Sequence, residues 1–244
     1  MGSSKAPREI QTRKQPRRRK TIADEQNRVW FAIGAFLVGV LFRFWIRRYR
    51  VIGAEQVPTS GGVFLICNHT SGMDPFLLGY PFRRYMPSGP GKIELFRNPV
   101  IAFLMRKLGI FPLRQDRADT AAVKAMIELY RSGRIVLVYP EGGRSPTGEM
   151  REFMPDFARL VIRLKATVVP AAIAGAREVL PIGAKIPRPN TPVVVAYGRP
   201  LDLTSFWERP MTPDVASEAA GLLRDNVTTL LTVAEDERRR MMRG

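Results

Sequence analysis

Histidine, cysteine and acids are all scarce in this chain. Its 244 residues hold one histidine, His69, and one cysteine, Cys67. A single cysteine excludes an intrachain disulfide and suits a reducing compartment. One histidine and one cysteine also argue against a zinc site, so no metal is expected. Acids number 22 against 39 lysines and arginines, a formal net charge of +17. Residues 1–28 hold nine Lys/Arg and three Asp/Glu, a net +6, which leaves +11 on the rest. The folded part itself should therefore meet something anionic: nucleic acid, an anionic membrane surface or phosphorylated substrates. An uncharged run of about 20 residues, enough for a full membrane span, is also missing. The 45% hydrophobic content is ordinary, and the length fits one domain with appendages.

Residues 1–28 are basic and polar, densest at Arg17-Arg18-Arg19-Lys20. They hold too little apolar surface for a core and are expected to be a disordered tail. Met1-Gly2 is not read as a myristoylation start, because Ala6 stands at the expected Ser/Thr position. The next fourteen residues, Val29 to Phe42, carry no charge, and Phe44-Trp45-Ile46 extend them beyond Arg43. Trp30 and Trp45 near the ends, with basic flanks, predict a membrane-associating helix over 29–48. Basic residues on both sides give no clear topology. The expected location is the cytoplasmic face of the cell membrane, peripheral or monotopic, with a single span left open.

Residues 49–244 read as the folded domain. Apolar strands are predicted over 62–67, 108–113, 135–139, 168–173 and 193–197. Helices are predicted just after Asp74 and over 98–107, 119–132, 153–164 and 213–240. This alternation predicts an α/β fold: a mixed, largely parallel central sheet flanked by helices.

His69 follows the first strand, and Asp74 follows five residues later, before Pro75. Asp-Pro is a helix-start signal, with the carboxylate at the N-cap. A turn at Ser71-Gly72 would bring that carboxylate back to the imidazole. A neutral imidazole takes a proton from a hydroxyl near pH 7, and a carboxylate on its other nitrogen fixes the tautomer. A solvated loop histidine and a plain capping aspartate are the other reading of the same pair.

Three later stretches also end or form strands. Tyr139-Pro140-Glu141-Gly142-Gly143-Arg144-Ser145 offers glycines for close backbone approach and an arginine for a phosphate. Gly109 to Arg114 delivers another arginine. Val168-Val169-Pro170-Ala171 is either an acyl-binding wall or core.

Together these blocks, in this order, resemble the glycerolipid acyltransferase superfamily, and within it the bacterial 1-acylglycerol-3-phosphate acyltransferases. The His-x-x-x-x-Asp block is matched by His69 and Asp74, with Asn68 before it. The Glu-Gly-x-Arg-Ser block is matched by Glu141, Gly142, Arg144 and Ser145. The Val-Pro block is matched by Val169 and Pro170, and a Lys-x-Glu-Leu stretch places Lys92. Gly143 stands where the family usually has Thr. In the second block the arginine falls on Arg114 by one count, Gln115 by another, with Arg117 a third candidate.

The resemblance implies transfer of a fatty acyl group from a thioester to the free hydroxyl of lysophosphatidate. His69 would be the general base, oriented by Asp74. Lys92, Arg114, Glu141, Gly142, Arg144 and Ser145 would bind substrate. It implies no cofactor and no metal. Acyl-CoA or acyl carrier protein would be the acyl donor, and the anionic bilayer surface the lipid partner. Another lyso-lipid acceptor is the alternative within the enzyme reading. A nucleic-acid-binding protein would explain the charge but not the apolar stretch, so no nucleic-acid partner is expected. A non-catalytic membrane scaffold would not need the His69/Asp74 pair.

Overall fold

A computed structural model of the protein describes residues 26–85, 87–114 and 119–243. The basic tail expected over 1–28 lies, up to residue 25, outside the described residues. The chain opens with helix α1 (Arg28–Phe44), strands β1 (Tyr49–Ile52) and β2 (Val63–Ile66), and helix α2 (Asp74–Gly79). Strand β3 (Gly89–Lys92), helix α3 (Pro99–Lys107), strand β4 (Ile110–Leu113) and helix α4 (Thr120–Arg131) follow. Strand β5 (Ile135–Val138), helix α5 (Pro155–Arg163), strand β6 (Val168–Ala174) and helix α6 (Ala176–Val179) come next. Strand β7 (Val193–Tyr197) and the long helix α7 (Pro213–Arg243) complete the order.

The main sheet runs β1-β7-β6-β2-β5, and β3 pairs with β4. A single bridge, Ser88 to Val136, joins β3 to the β5 edge. Ser88 donates its N–H to Ile135 O at 2.9 Å and accepts from Leu137 N at 2.7 Å. Strand β2 is parallel to β5 and β6, β3 to β4, and β1 to β7. Only β6 and β7 pair antiparallel among these strands. The predicted mixed, largely parallel sheet is what forms.

Helices on both faces explain why β2, β5, β6 and β7 are apolar throughout rather than alternating. Every residue of these four strands is buried. Phe64 and Ile66 pack with α4, α5 and α7 on one side. Val63 and Leu65 pack with α1 and α2 on the other. Val168-Val169-Pro170-Ala171 is therefore core, buried in the middle of the sheet. The boundary residues act as their types predict. Asn98 caps α3 by accepting from Val100 and Ile101 N–H. Asp119 caps α4 through Ala121 and Ala122 N–H.

Two features of the fold matter for the site, and the first departs from the sequence expectation. Strand β3 was not predicted, because Gly-Pro-Gly-Lys has the composition of a turn. Tertiary pairing makes it a strand, and a Cβ at Gly91 would stand 2.6 Å from the Ile110 side chain. Helix α1, expected as a membrane-associating segment, packs onto the domain. A Cβ at Gly34 would meet Leu108 Cδ2 at 2.8 Å, so the helix lies close against that leucine.

Candidate active site

Four parallel strands deliver the candidate residues to one end of the sheet. His69 lies just past β2, Lys92 ends β3, Arg114 follows β4, and Glu141 to Ser145 follow β5. Lys92 and Pro140 are each four residues beyond the Ser88–Val136 bridge, so they reach the same level. The carboxyl ends of strands are where open α/β sheets bind ligands.

His69 Nδ1 lies 2.7 Å from Asp74 Oδ2. A carboxylate only accepts, so Nδ1 carries the proton and Nε2 is left to take one. The same oxygen accepts the N–H of Thr70 at 2.7 Å and of Ser71 at 2.9 Å. Asp74 is therefore held by the loop between it and His69, and it is completely buried. The capping role expected from Asp-Pro is not what forms. Asp74 is the first helical residue, Met73 stands at the N-cap, and the carboxylate turns back to the loop. Three N–H groups converging on one oxygen outcompete a cap.

The second block fastens this loop from the other side. Glu141 Oε1 accepts the N–H of His69 at 2.7 Å, and Oε2 accepts that of Arg151 at 3.0 Å. Burial pushes the Glu141 carboxyl above its ordinary value, while these two amides pull it down. Ser145 donates its N–H to His69 O at 2.7 Å. Its buried hydroxyl accepts from Gly148 N–H. Gly142 has φ +74, a turn conformation that glycine adopts freely. Arg177 donates to the carbonyls of Pro146 and Thr147 and ties down the end of this loop.

Arg144 is the exposed member of the block. A guanidinium nitrogen of Arg144 lies 4.0 Å from where a Gly72 Cβ would stand, so the side chain folds back against the His69 loop. Lys92 is exposed and sits 3.8 Å from Glu94. Arg114 is exposed, and its N–H donates to Asp119 Oδ2 at 3.0 Å. Gln115 and Arg117, the other two candidates for the second-block position, lie outside the described residues.

Asn68 and Cys67 serve the scaffold. The Asn68 amide donates to Ile173 O at 3.0 Å and accepts from Ile173 N–H at 2.8 Å, extending the β2–β6 pairing by one side chain. Cys67 is fully buried and donates to Asn68 Oδ1. Burial, with the nearby Asp74 and Glu141 charges, pushes its thiol up, so a nucleophilic thiolate is disfavoured.

Sequence reasoning missed two residues. The Tyr139 ring lies on the His69 ring with centroids 4.0 Å apart and planes 17° apart. Its only signal in the sequence was an aromatic at the strand end before Pro140. Arg151 brings a guanidinium nitrogen to 3.6 Å from where a Gly143 Cβ would stand. Nothing in a seven-residue spacing from Arg144 announces that.

Beside the dyad lies a mostly apolar cavity of about 230 Å³. Gly72, Pro75, Phe76 and Tyr139 line its end near His69, and Gly34 and Val38 of α1 line another part. A base, a guanidinium and an apolar cavity thus share one end of the sheet. Among the described residues, no cluster of three or more His, Cys, Asp or Glu side chains is placed to hold a metal.

The Acyltransferase family model matches residues 48–174, which hold the dyad, Lys92, Arg114 and the whole Glu141–Ser145 turn. The chain belongs to the Acyltransferase family. This acyltransferase is 27% identical over 173 residues to the 1-acyl-sn-glycerol-3-phosphate acyltransferase of Bacillus subtilis, covering 71% of this chain and 83% of that one. It is 26% identical over 137 residues to the enzyme of the same name from Borreliella burgdorferi, covering 53% of each chain. Its fold matches the crystal structure of the 1-acyl-sn-glycerophosphate acyltransferase PlsC from Thermotoga maritima, with a TM-score of 0.61 at 23% identity. That match covers 83% of this acyltransferase and 87% of the Thermotoga chain. The α/β architecture is thus the one that the solved protein also has.

Proposed function

We propose that this acyltransferase moves a fatty acyl group from an acyl thioester to the free hydroxyl of 1-acylglycerol 3-phosphate, giving phosphatidate. The observation that carries this reading is the His69–Asp74 contact of 2.7 Å, next to an apolar cavity lined by Gly72, Pro75 and Tyr139, with Arg144 against the same loop. The names of the Bacillus and Borreliella relatives agree with it.

Nε2 of His69 removes the proton from the acceptor hydroxyl as that oxygen attacks the thioester carbonyl. Asp74 stabilises the imidazolium that forms. The tetrahedral intermediate collapses, the carbon–sulfur bond breaks, and the imidazolium proton goes to the leaving thiolate. Arg144 grips the acceptor phosphate, with Lys92 and Arg114 at the neighbouring strand ends adding charge. Glu141, Gly142 and Ser145 act on substrate through the loop they shape. The acyl chain occupies the apolar cavity. The donor is acyl-CoA or acyl carrier protein; both are anionic and suit a basic surface. No cofactor is called for.

Helix α1 holds the protein at the cytoplasmic membrane surface, where the acceptor lives. No helix among the described residues is long and apolar enough to cross a membrane.

The test is an assay of the purified protein with one acyl-CoA and a panel of lyso-acceptors in detergent. Lysophosphatidate should be the best acceptor, with its phosphate-free counterpart far behind. Equal use of both, or preference for a zwitterionic lysophospholipid, overturns the acceptor assignment. No thioester turnover with any acceptor overturns the reaction.

A further inference from the structure

Arg151 is a guanidinium beside the active-site turn that the proposed reaction leaves without a task. It lies on the return arm of the loop that starts at Glu141. That loop is pinned along its length. Ser145 donates its N–H to His69 O, and its hydroxyl accepts from Gly148 N–H at 3.1 Å. Gly148 turns the chain back with φ +94, a left-handed conformation that glycine adopts freely. Arg177 holds the carbonyls of Pro146 and Thr147. Beyond Arg151, Met154 N–H donates to Pro140 O at 2.9 Å. The Arg151 side chain is exposed, but it springs from a fixed backbone.

One buried carboxylate sets that backbone and the base together. Glu141 Oε2 accepts Arg151 N–H at 3.0 Å, and Oε1 accepts His69 N–H at 2.7 Å. The Arg151 side chain then reaches back to the turn. A guanidinium nitrogen lies 3.6 Å from where a Gly143 Cβ would stand. Arg144 leaves the chain at the next residue, and one of its guanidinium nitrogens lies 4.0 Å from where a Gly72 Cβ would stand. Two positive side chains thus serve one turn, Arg144 against the His69 loop and Arg151 against the Gly143 backbone.

Neither arginine forms an ion pair among the described residues. Glu152, the acid next to Arg151, is turned to Arg224 of α7 at 3.5 Å. Both Glu141 oxygens are taken by backbone amides. Burial raises the Glu141 carboxyl most, the two amides lower it, and the Arg151 charge lowers it least. The Arg151 guanidinium is therefore open to an anion from outside the chain.

Charge decides which anion. A phosphate monoester carries about −1.5 to −2 near pH 7, and a diester about −1. One guanidinium matches a diester, whereas a monoester has charge and oxygens left for a second.

We propose that Arg151 is a second grip on the acceptor phosphate, acting with Arg144 and selecting a phosphate monoester over a diester. Gly143, with no side chain, is the opening through which its guanidinium reaches. This role rests on the acyl-transfer reading, in which Arg144 binds that phosphate.

The test is steady-state kinetics of the full chain with acyl-CoA and lysophosphatidate in detergent. Arg151→Ala keeps the backbone N–H on Glu141, so the His69 loop is expected to stay in place. Its KM for lysophosphatidate should rise roughly tenfold, the cost of a charge-assisted hydrogen bond. Its kcat, its melting temperature and its KM for acyl-CoA should stay near the parent's. Lysophosphatidylglycerol, a phosphodiester, is measured as a competitor, and its inhibition constant should change far less. Arg151→Lys should recover only part of the loss, because a point charge does not grip two oxygens. Gly143→Val should crowd the guanidinium and raise the same KM severalfold, yet add little in the Arg151→Ala background. If Arg151→Ala melts early, Arg151→Gln, which keeps much of the stem and loses the charge, is read in its place. An unchanged lysophosphatidate KM in the Arg151 variant, beside a raised one in Arg144→Ala, overturns the role of Arg151 and leaves the acyl-transfer reading standing. Parental KM in both variants means that the phosphate is not bound at this turn, and both assignments fall. A rise confined to acyl-CoA also overturns the role, since the donor would then be what Arg151 meets. So does an equal rise for monoester and diester, or a fall in kcat and melting temperature with no change in KM, which would make Arg151 structural.

Discussion

Glu141 holds the backbone of His69: its Oε1 accepts the His69 N–H at 2.7 Å across 72 residues of chain. Through that bond, and through Ser145 N–H on the His69 carbonyl, the turn after β5 fixes where the loop after β2 can be. The imidazole is then aimed by Asp74 and faced by Tyr139. Position, tautomer and ring plane of one side chain are set by separate contacts.

His69→Ala should lower turnover by about 10²- to 10⁴-fold with little change in melting temperature, the usual cost of a lost general base. Asp74 separates two roles. Asp74→Asn keeps an oxygen for Thr70, Ser71 and His69 but loses the charge, so activity falls while stability holds. Asp74→Ala leaves two backbone N–H groups without their acceptor, at about 1–3 kcal/mol each, so both fall. Kinetics and thermal melts on the three variants check this, and an active Asp74→Asn would remove the electrostatic role.

Arg144→Ala should raise the KM for a phosphate-bearing acceptor far more than that for the thioester. Loss of a charge-assisted contact costs about 1.5–3 kcal/mol, or roughly 10- to 150-fold. Arg114→Ala in the same assay tells whether the end of β4 contributes to the phosphate site. If Arg144→Ala leaves kcat/KM for the phosphate acceptor untouched, the phosphate does not bind there.

Tyr139→Phe should keep most activity, because the stacked ring remains. Tyr139→Leu should lose roughly two- to tenfold, from about 0.5–1.5 kcal/mol of ring contact. The hydroxyl is buried and has no partner among the described residues. Removing it should therefore leave the melting temperature unchanged or raise it. Equal activity in the Phe and Leu variants would show that stacking does not position the imidazole.

Burial gives Glu141 a folded pKa above its unfolded value. The native state therefore binds the proton more tightly than the unfolded state does. That contribution is present in full below the unfolded value of about 4.3, and it is lost as pH rises through the higher folded value. Glu141→Gln removes the titration and also breaks one of the two amide bonds, since an NH₂ group cannot accept. Urea midpoints of parent and variant between about pH 4 and about pH 7 check this. The parent's advantage over Glu141→Gln should shrink as pH rises, and a constant advantage would refute the shift.

Much of this protein was legible in its residues. Continuous apolar runs named β2, β5, β6 and β7, because strands covered on both faces need apolar side chains at every position. Asn98-Pro99 and Asp119 marked helix starts through local hydrogen bonds. The spacing of His69 and Asp74, five positions apart, fits a short loop closing on itself, a short-range event. Strand β3 was hidden, because Gly-Pro-Gly-Lys becomes a strand only when β4 and, through Ser88, the edge of β5 supply partners. The same holds for Tyr139 on His69 and for Glu141 as the holder of the His69 backbone. Helix α3 was read from its Asn98-Pro99 start, and the exposure of Val100, Ile101 and Phe103 shows only in the folded chain. Local sequence determined which residues carry chemistry and which segments are strand or helix, since spacing and caps act within a few residues. Tertiary structure alone decided which of those residues touch each other and which apolar surfaces stay uncovered, because such contacts join segments far apart in the chain.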